Sequence, residues 1–217
     1  MSRRQPPFEI TTDLVLRAYA IGLFPMAEDR DSAVLQWVEP ERRGVFPLDR
    51  LIVSKSLAKA VRADRYEVTA DRAFAQVMQA CAAREKTWIN AEILKLYGEL
   101  HAQGYAHSLE AWSNGELVGG LYGVHLGAAF FGESMFSQRR DASKVALVHL
   151  VARLKLGGFR LLDTQFLTEH LATLGAVEIS RAEYRRRLAA ALTVPGRFPA
   201  EPPISGAQAL DLVRATA

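Results

Sequence analysis

The chain has 217 residues, of which 49% are hydrophobic and 24% charged, with a formal net charge of +3. That balance belongs to a folded water-soluble protein of one medium domain, or a small domain joined to a larger one. No apolar run approaches the ~18 residues of a membrane span, the opening MSRRQPPFEI lacks the apolar stretch of a secretion signal, and one cysteine leaves no partner for an intramolecular disulfide, so a cytoplasmic protein is expected.

TTDLVLRAYAIGLFP predicts a first helix, with Thr12 as N-cap, Leu14, Leu16, Tyr19 and Ala20 as apolar positions, and Gly22 and Pro25 as its end. MAEDRDSAVLQWVEPERRGVFPL is loop-rich, with a short strand around residues 34–38. Residues 1–53 therefore read as a small N-terminal lobe too poor in core to stand alone. In SKSLAKAVRADRYEV, Lys55, Lys59 and Arg62 fall on one face of a short helix. Such a stripe is either a solvated helix face or a seat for nucleic-acid phosphates. RAEYRRRLAAAL, with Arg181, Arg185, Arg186 and Arg187, poses the same choice.

DRAFAQVMQACAA predicts a helix capped by Asp71, with Phe74, Val77, Met78 and Cys81 on its buried side. NAEILKLYGELHAQG repeats the pattern, from Asn90 through Ile93, Leu96, Tyr97 and Leu100 to Gly104. YAHSLEAW, ELVGGLYGV and AAFFGESMF then read as three strands, joined at Ser113-Asn114-Gly115 and His125-Leu126-Gly127. A helix over ASKVALVHLVARLKLGG follows, opened near Asp141 or Ser143. FRLLDTQFL is a strand, TEHLATLG a short helix, AVEIS a last strand and RAEYRRRLAAAL a last helix. Four prolines in VPGRFPAEPP predict an extended tail over 194–217. The expected organisation is an α+β domain over 54–193 with a predominantly antiparallel sheet flanked by helices, behind the lobe and before the tail.

Two places carry candidate chemistry. In GESMFS, Glu133 and Met135 share one face of a strand end, an odd lining for a core and a reasonable one for a pocket. In LLDTQF, Asp163 and Gln165 stand two residues apart on a strand. They are either a satisfied structural network or a polar pair aimed into a cleft, where an amide holds a nucleophile and a carboxylate orients it or takes a proton. Trp88, in KTWIN, is either core or a stacking surface for a base. Walker, dinucleotide and Gly-x-Ser-x-Gly motifs are absent. Nothing local supports a hydrolase set of Ser134 or Ser137 with His107 or His125. The five histidines and one cysteine lack ligand-like spacing, so no metal site is expected.

GLFPM, WVEPERRGV, TWIN, GYAHSLEAW, ELVGGLYGV, GESMFS, ASKVAL, LLDTQF and HLATLGA occur in this order over residues 10–190. Together they closely resemble the bacterial leucyl/phenylalanyl-tRNA–protein transferases. The resemblance implies a small N-terminal lobe and a GCN5-related N-acyltransferase-like domain. It also implies transfer of Leu or Phe, with Met as a further donor, from aminoacyl-tRNA to proteins that begin with Arg or Lys, marking them for N-end-rule degradation. Neither a cofactor nor a membrane or DNA partner is implied. By the same resemblance Asp163 and Gln165 handle the acceptor amine. Leu121, Glu133, Met135, Leu147, Leu150, Leu154 and Leu162 line the aminoacyl pocket, and Trp88 and Met26 hold the terminal adenosine of tRNA. Met26 stands where better-known members have Trp, and Leu150 and Leu154 where they have Phe, which widens the slot. Lys55, Lys59 and Arg62 become candidates for the tRNA backbone. The competing readings are an acyltransferase of the same fold using acyl-CoA or another acceptor, although QRRDASK replaces the Gly-rich CoA loop, and a non-catalytic tRNA- or peptide-binding module.

Overall fold

A computed structural model describes residues 10–215; the reading of MSRRQPPFE lies outside them. Thr11, one residue before the expected cap, opens α1 (Thr12–Ala20) by accepting the Leu14 N–H at 3.3 Å. β1 (Phe24–Ala27) and β2 (Leu35–Val38) form a separate antiparallel pair. β3 (Arg42–Val45) leaves that lobe and enters the main sheet. With β4 (Glu67–Ala70), β5 (Ala106–Ser113), β6 (Glu116–Leu126), β7 (Ala129–Ser137), β8 (Leu161–Gln165) and β9 (Val177–Ser180), it makes seven strands in the order β4-β5-β6-β7-β8-β3-β9. Among the described residues, only β7 and β8 run parallel. The antiparallel majority was expected. The insertion of a strand from the first 53 residues between β8 and β9 was not, and it ties the lobe into the larger sheet.

Helices cover both faces. α2 (Lys55–Arg62), α5 (Ala142–Leu156) and α8 (Gly206–Arg214) bury Leu57, Val61, Val148, Val151 and Leu210 against Leu109 and Leu121. On the other face α1, α3 (Phe74–Ala82), α4 (Ala91–Ala102) and α7 (Arg181–Leu192) bury Val15, Val77, Ile93, Leu96 and Leu188 against Tyr122 and Val124. Leu121 and Tyr122 enter opposite cores because successive strand residues point to opposite faces. α6 (Glu169–Thr173) connects β8 to β9. No helix among the described residues is long and apolar enough to cross a membrane.

Two expectations need correction. Asp71 does not cap α3, which starts at Phe74 without a side-chain cap. Its backbone is left-handed at φ 59° and its carboxylate instead accepts the Ser108 N–H and bonds the His107 ring. The tail is not extended throughout either. After the proline-rich stretch, Ser205 and Gln208 form a capping box and start α8, whose Ala209 and Leu210 are fully buried.

The sheet opens where the site forms. β7 pairs with β8 only over Ala129–Phe131 against Leu161–Asp163, then continues to Ser137 with β6 as its neighbour. Past Asp163 the parallel strands separate and leave a wedge. A bulge on β7 adds to it: Tyr122 faces Ser134 and Gly123 faces Gly132, so Glu133 is the residue left over.

Candidate active site

The wedge holds a cavity of about 310 Å³, small among ligand sites. Leu121, Met135, Leu147, Leu150 and Leu162 form its apolar wall, Glu133 and Gln165 its polar end, and Trp88 and Phe166 also line it. These include six of the seven side chains that the resemblance assigned to the aminoacyl pocket, all but Leu154. Leu154 does not border the cavity. It lies one helical turn past Leu150 on α5, fully buried in the core, so it cannot widen the slot.

Glu133 is 8% exposed and surrounded by donors. The Tyr19 hydroxyl donates to it at 2.6 Å, Tyr97 at 3.2 Å and the Gln165 amide at 2.7 Å. Burial pushes its carboxyl up to about 7; the hydroxyl of Tyr19, then that of Tyr97, and the charge of Arg43 hold it down, while the charge of Asp163 adds to the rise. Burial, reinforced by the charge on Glu133, raises both tyrosines well above their ordinary value, so they remain donors.

Asp163 and Gln165 are separated by the backbone. Asp163 is fully buried and does not border the cavity. Its carboxylate takes Arg43 Nε at 2.9 Å and Nη2 at 2.5 Å, the Tyr184 hydroxyl at 2.8 Å and the Gln165 N–H at 2.7 Å. The Arg43 guanidinium lies between the Phe24 and Tyr184 rings, 4.7 and 4.3 Å from their centroids, and donates to the Gly22 carbonyl at 2.9 Å. Gln165 has φ 59°, and the Phe166 N–H bonds the Thr164 carbonyl at 2.6 Å, which closes a γ-turn. That turn ends the strand and takes the Gln165 side chain away from Asp163 into the cavity.

Met26 lies with Phe24, Pro25, Trp88, Gln165 and Phe166 around a niche of about 40 Å³. The niche and the cavity share Trp88, Gln165 and Phe166, so the two adenosine candidates sit together at the cavity's edge. Lys55, Lys59 and Arg62 are exposed along α2, outside the cavity. Cys81 is buried, with its thiol pushed up to about 12 by burial, as a packing residue requires. No group of three or more His, Cys, Asp or Glu among the described residues could hold a metal ion.

Sequence reasoning missed Arg43, Tyr19, Tyr97 and Tyr184. Tyr19 and Tyr97 were counted as apolar helix positions. The available signal was that a buried tyrosine needs a partner for its hydroxyl, and here two of them converge on one carboxylate.

A mixed sheet split by diverging parallel strands, with an apolar slot ending on a carboxyl–amide pair, defines an α+β protein with a pocket between its two diverging strands. The sequence pattern of the family "Leucyl/phenylalanyl-tRNA protein transferase" matches residues 45–189, and that of its N-terminal domain residues 8–41. The chain belongs to this family. A leucyl/phenylalanyl-tRNA–protein transferase of Afipia carboxidovorans is 57% identical over 99% of this chain and 98% of its own length. One of Ruegeria sp. is 61% identical over 87% and 90%, and one of Maricaulis maris 58% over 93% and 96%. Among solved structures, a functionally unknown conserved protein from Staphylococcus epidermidis covers 80% of this chain and is covered over 66% of its own, at 11% identity and a TM-score of 0.40, too loose a likeness to bear on function.

Proposed function

We propose that this chain transfers a leucyl or phenylalanyl group from aminoacyl-tRNA to the α-amino group of proteins beginning with Arg or Lys, on a catalytic domain of the GCN5-related N-acyltransferase type. The observation that carries the reading is an apolar slot whose inner end is the Glu133–Gln165 pair. Leu121, Met135, Leu147, Leu150 and Leu162 receive the donor's side chain. Such a wall rejects charged side chains through their desolvation, but it separates aliphatic ones by only ~1–3 kcal/mol per methylene. Trp88 and Met26 flank the adenine, and Lys55, Lys59 and Arg62 meet backbone phosphates farther along the tRNA.

The aminoacyl ester is already activated, so the chain's main contribution is alignment. Gln165 gives its amide N–H to Glu133 and keeps its carbonyl oxygen free to accept from the incoming α-amine. A free α-amine titrates near ~7.7–8.0, so part of it is neutral at cytoplasmic pH. The nitrogen attacks the ester carbonyl carbon, the C–N bond forms and the bond to the 3′-oxygen breaks. Glu133, titrating at about 7, takes the proton the amine loses and passes it to the departing 3′-oxygen, so the carboxylate is regenerated. Asp163, closed off by Arg43, acts as a positioning residue that fixes the γ-turn. Glu133 is the carboxylate that lines the slot, so acceptor selectivity for Arg or Lys does not draw on Asp163.

Gln165→Ala tests this directly. Transfer should fall by roughly 100-fold or more, while charged-tRNA binding and thermal stability stay near those of the parent. Equal loss of binding, or unchanged transfer, contradicts the assignment.

A further inference from the structure

Phe166 is out of keeping with its surroundings. Of the large apolar side chains that stay exposed among the described residues, it is the one aromatic, at 45%. A single apolar side chain on a surface is ordinary, but this one stands at the border of two hollows. It lines both the slot and the small niche beside it, as do Trp88 and Gln165. The exposure is not looseness of the chain. Asp163 holds the Gln165 N–H, and the Phe166 N–H closes the γ-turn on the Thr164 carbonyl. The Phe166 carbonyl carbon lies so near β3 that a Cβ on Gly44 would come within 2.7 Å of it. The backbone is clamped on both sides, and the ring is presented from that clamp.

The Phe166 and Phe24 rings stand at 85° with centroids 5.8 Å apart. An edge contact of that kind covers at most one face of the Phe166 ring. Whatever lies against the other face has to suit the niche. Phe24, Pro25, Met26, Trp88, Gln165 and Phe166 line it, with no carboxylate among them. At about 40 Å³ it is too small to enclose a nucleobase, so a flat group rests across its rim. The nearby charges oppose a cation: the Arg43 guanidinium lies over the Phe24 ring, and Arg84 lines the adjoining slot. A neutral planar ring meets both conditions, because base–aromatic stacking needs a face and no counter-charge.

We infer that Phe166 is a binding residue for the donor: its free face stacks on the adenine of the terminal adenosine, beside Trp88. One turn then does two things, presenting Gln165 to the acceptor amine and setting the base of the donor. The inference rests on the proposed transfer reaction, which brings that adenosine to Trp88 and Met26.

The test compares two donors that carry the same aminoacyl group, the phenylalanyl ester of adenosine and that of methyl riboside, which has no base. Both are offered to a peptide beginning with Arg. Phe166→Leu keeps an apolar side chain and removes the aromatic face. It should lower the preference for the adenosine donor, read as the ratio of the two kcat/KM values, by about 10-fold, within the range for one stacked base. Any effect of the substitution on the slot falls on both donors and cancels in that ratio. Phe166→Tyr restores the face and should recover most of the preference. An unchanged ratio in Phe166→Leu, or a loss that Phe166→Tyr does not recover, overturns the inference. So does a ratio that holds while transfer to the Arg peptide falls relative to a citrulline-initial one, which would make the ring a seat for the acceptor's cation. Should the parent fail to use either ester, the seat is judged by calorimetry with adenosine and methyl riboside. Tighter binding of adenosine that Phe166→Leu removes and Phe166→Tyr keeps upholds the stacking, and its absence overturns it. A lack of transfer from Phe-tRNA itself would refute the reaction and leave that binding result standing.

Discussion

Gln165 occupies a left-handed conformation that costs an L side chain on the order of 1 kcal/mol. Asp163 compensates by accepting its N–H, and Arg43 and Tyr184 hold that carboxylate in place. Glu133 stores a different kind of strain, that of an acid in a buried site. The native state keeps its proton up to about 7, whereas the ordinary carboxyl loses it near 4.5. The folded chain thus binds more protons than the unfolded one between these values, and stability falls as pH rises through that window, by on the order of 3 kcal/mol, then levels off. Glu133→Gln should remove this slope; melting temperatures of both proteins from pH 4.5 to 8 check it, and parallel curves would contradict it. The polar character of Asp163 and Gln165 was legible in the sequence. Their division between core and cavity was not, because strand alternation presumes extended backbone and no glycine marks the γ-turn.

At the scale of elements, the site depends on where β7 and β8 part and on β3 lying tightly beside the turn. A Cβ at Gly44 would come within 2.7 Å of the Phe166 carbonyl carbon and of Thr164 Oγ1, and 2.8 Å from Leu167 N. Gly44→Ala therefore has to displace the turn that carries Gln165. Transfer should fall by about 10-fold or more with a modest drop in melting temperature, measured by steady-state kinetics beside a thermal melt. α8 packs far from the cavity lining, in the core formed with α2 and α5. Leu210 is fully buried between α2 and α5, and Leu210→Ala should cost ~2–5 kcal/mol in denaturant unfolding. The meander β5–β7 was legible because turn residues punctuate it. β3 was not: RRGV reads as a charged loop, and the burial of Arg43 depends on Asp163 and Tyr184, which lie 120 and 141 residues further along the chain. α8 was hidden by the prolines before it, although Ser205 and Gln208 carry the spacing of a helix start.

Taken as a whole, the molecule completes its site from both ends of the fold. Tyr19 from α1 and Arg43 from β3 reach Glu133 and Asp163 of the larger sheet, so these two elements belong to the site rather than flanking it. Composition gave the class of protein, and motif order gave the family, but the joining of lobe and sheet rests on pairings 114 and 120 residues apart that no local pattern encodes. The most direct measurement of the central claim incubates the protein with labelled Leu-tRNA or Phe-tRNA and a peptide beginning with Arg, with an Ala-initial peptide as control, without ATP or CoA. Label on the Arg peptide alone is the predicted result. Intact charged tRNA with no label on either peptide would contradict the account.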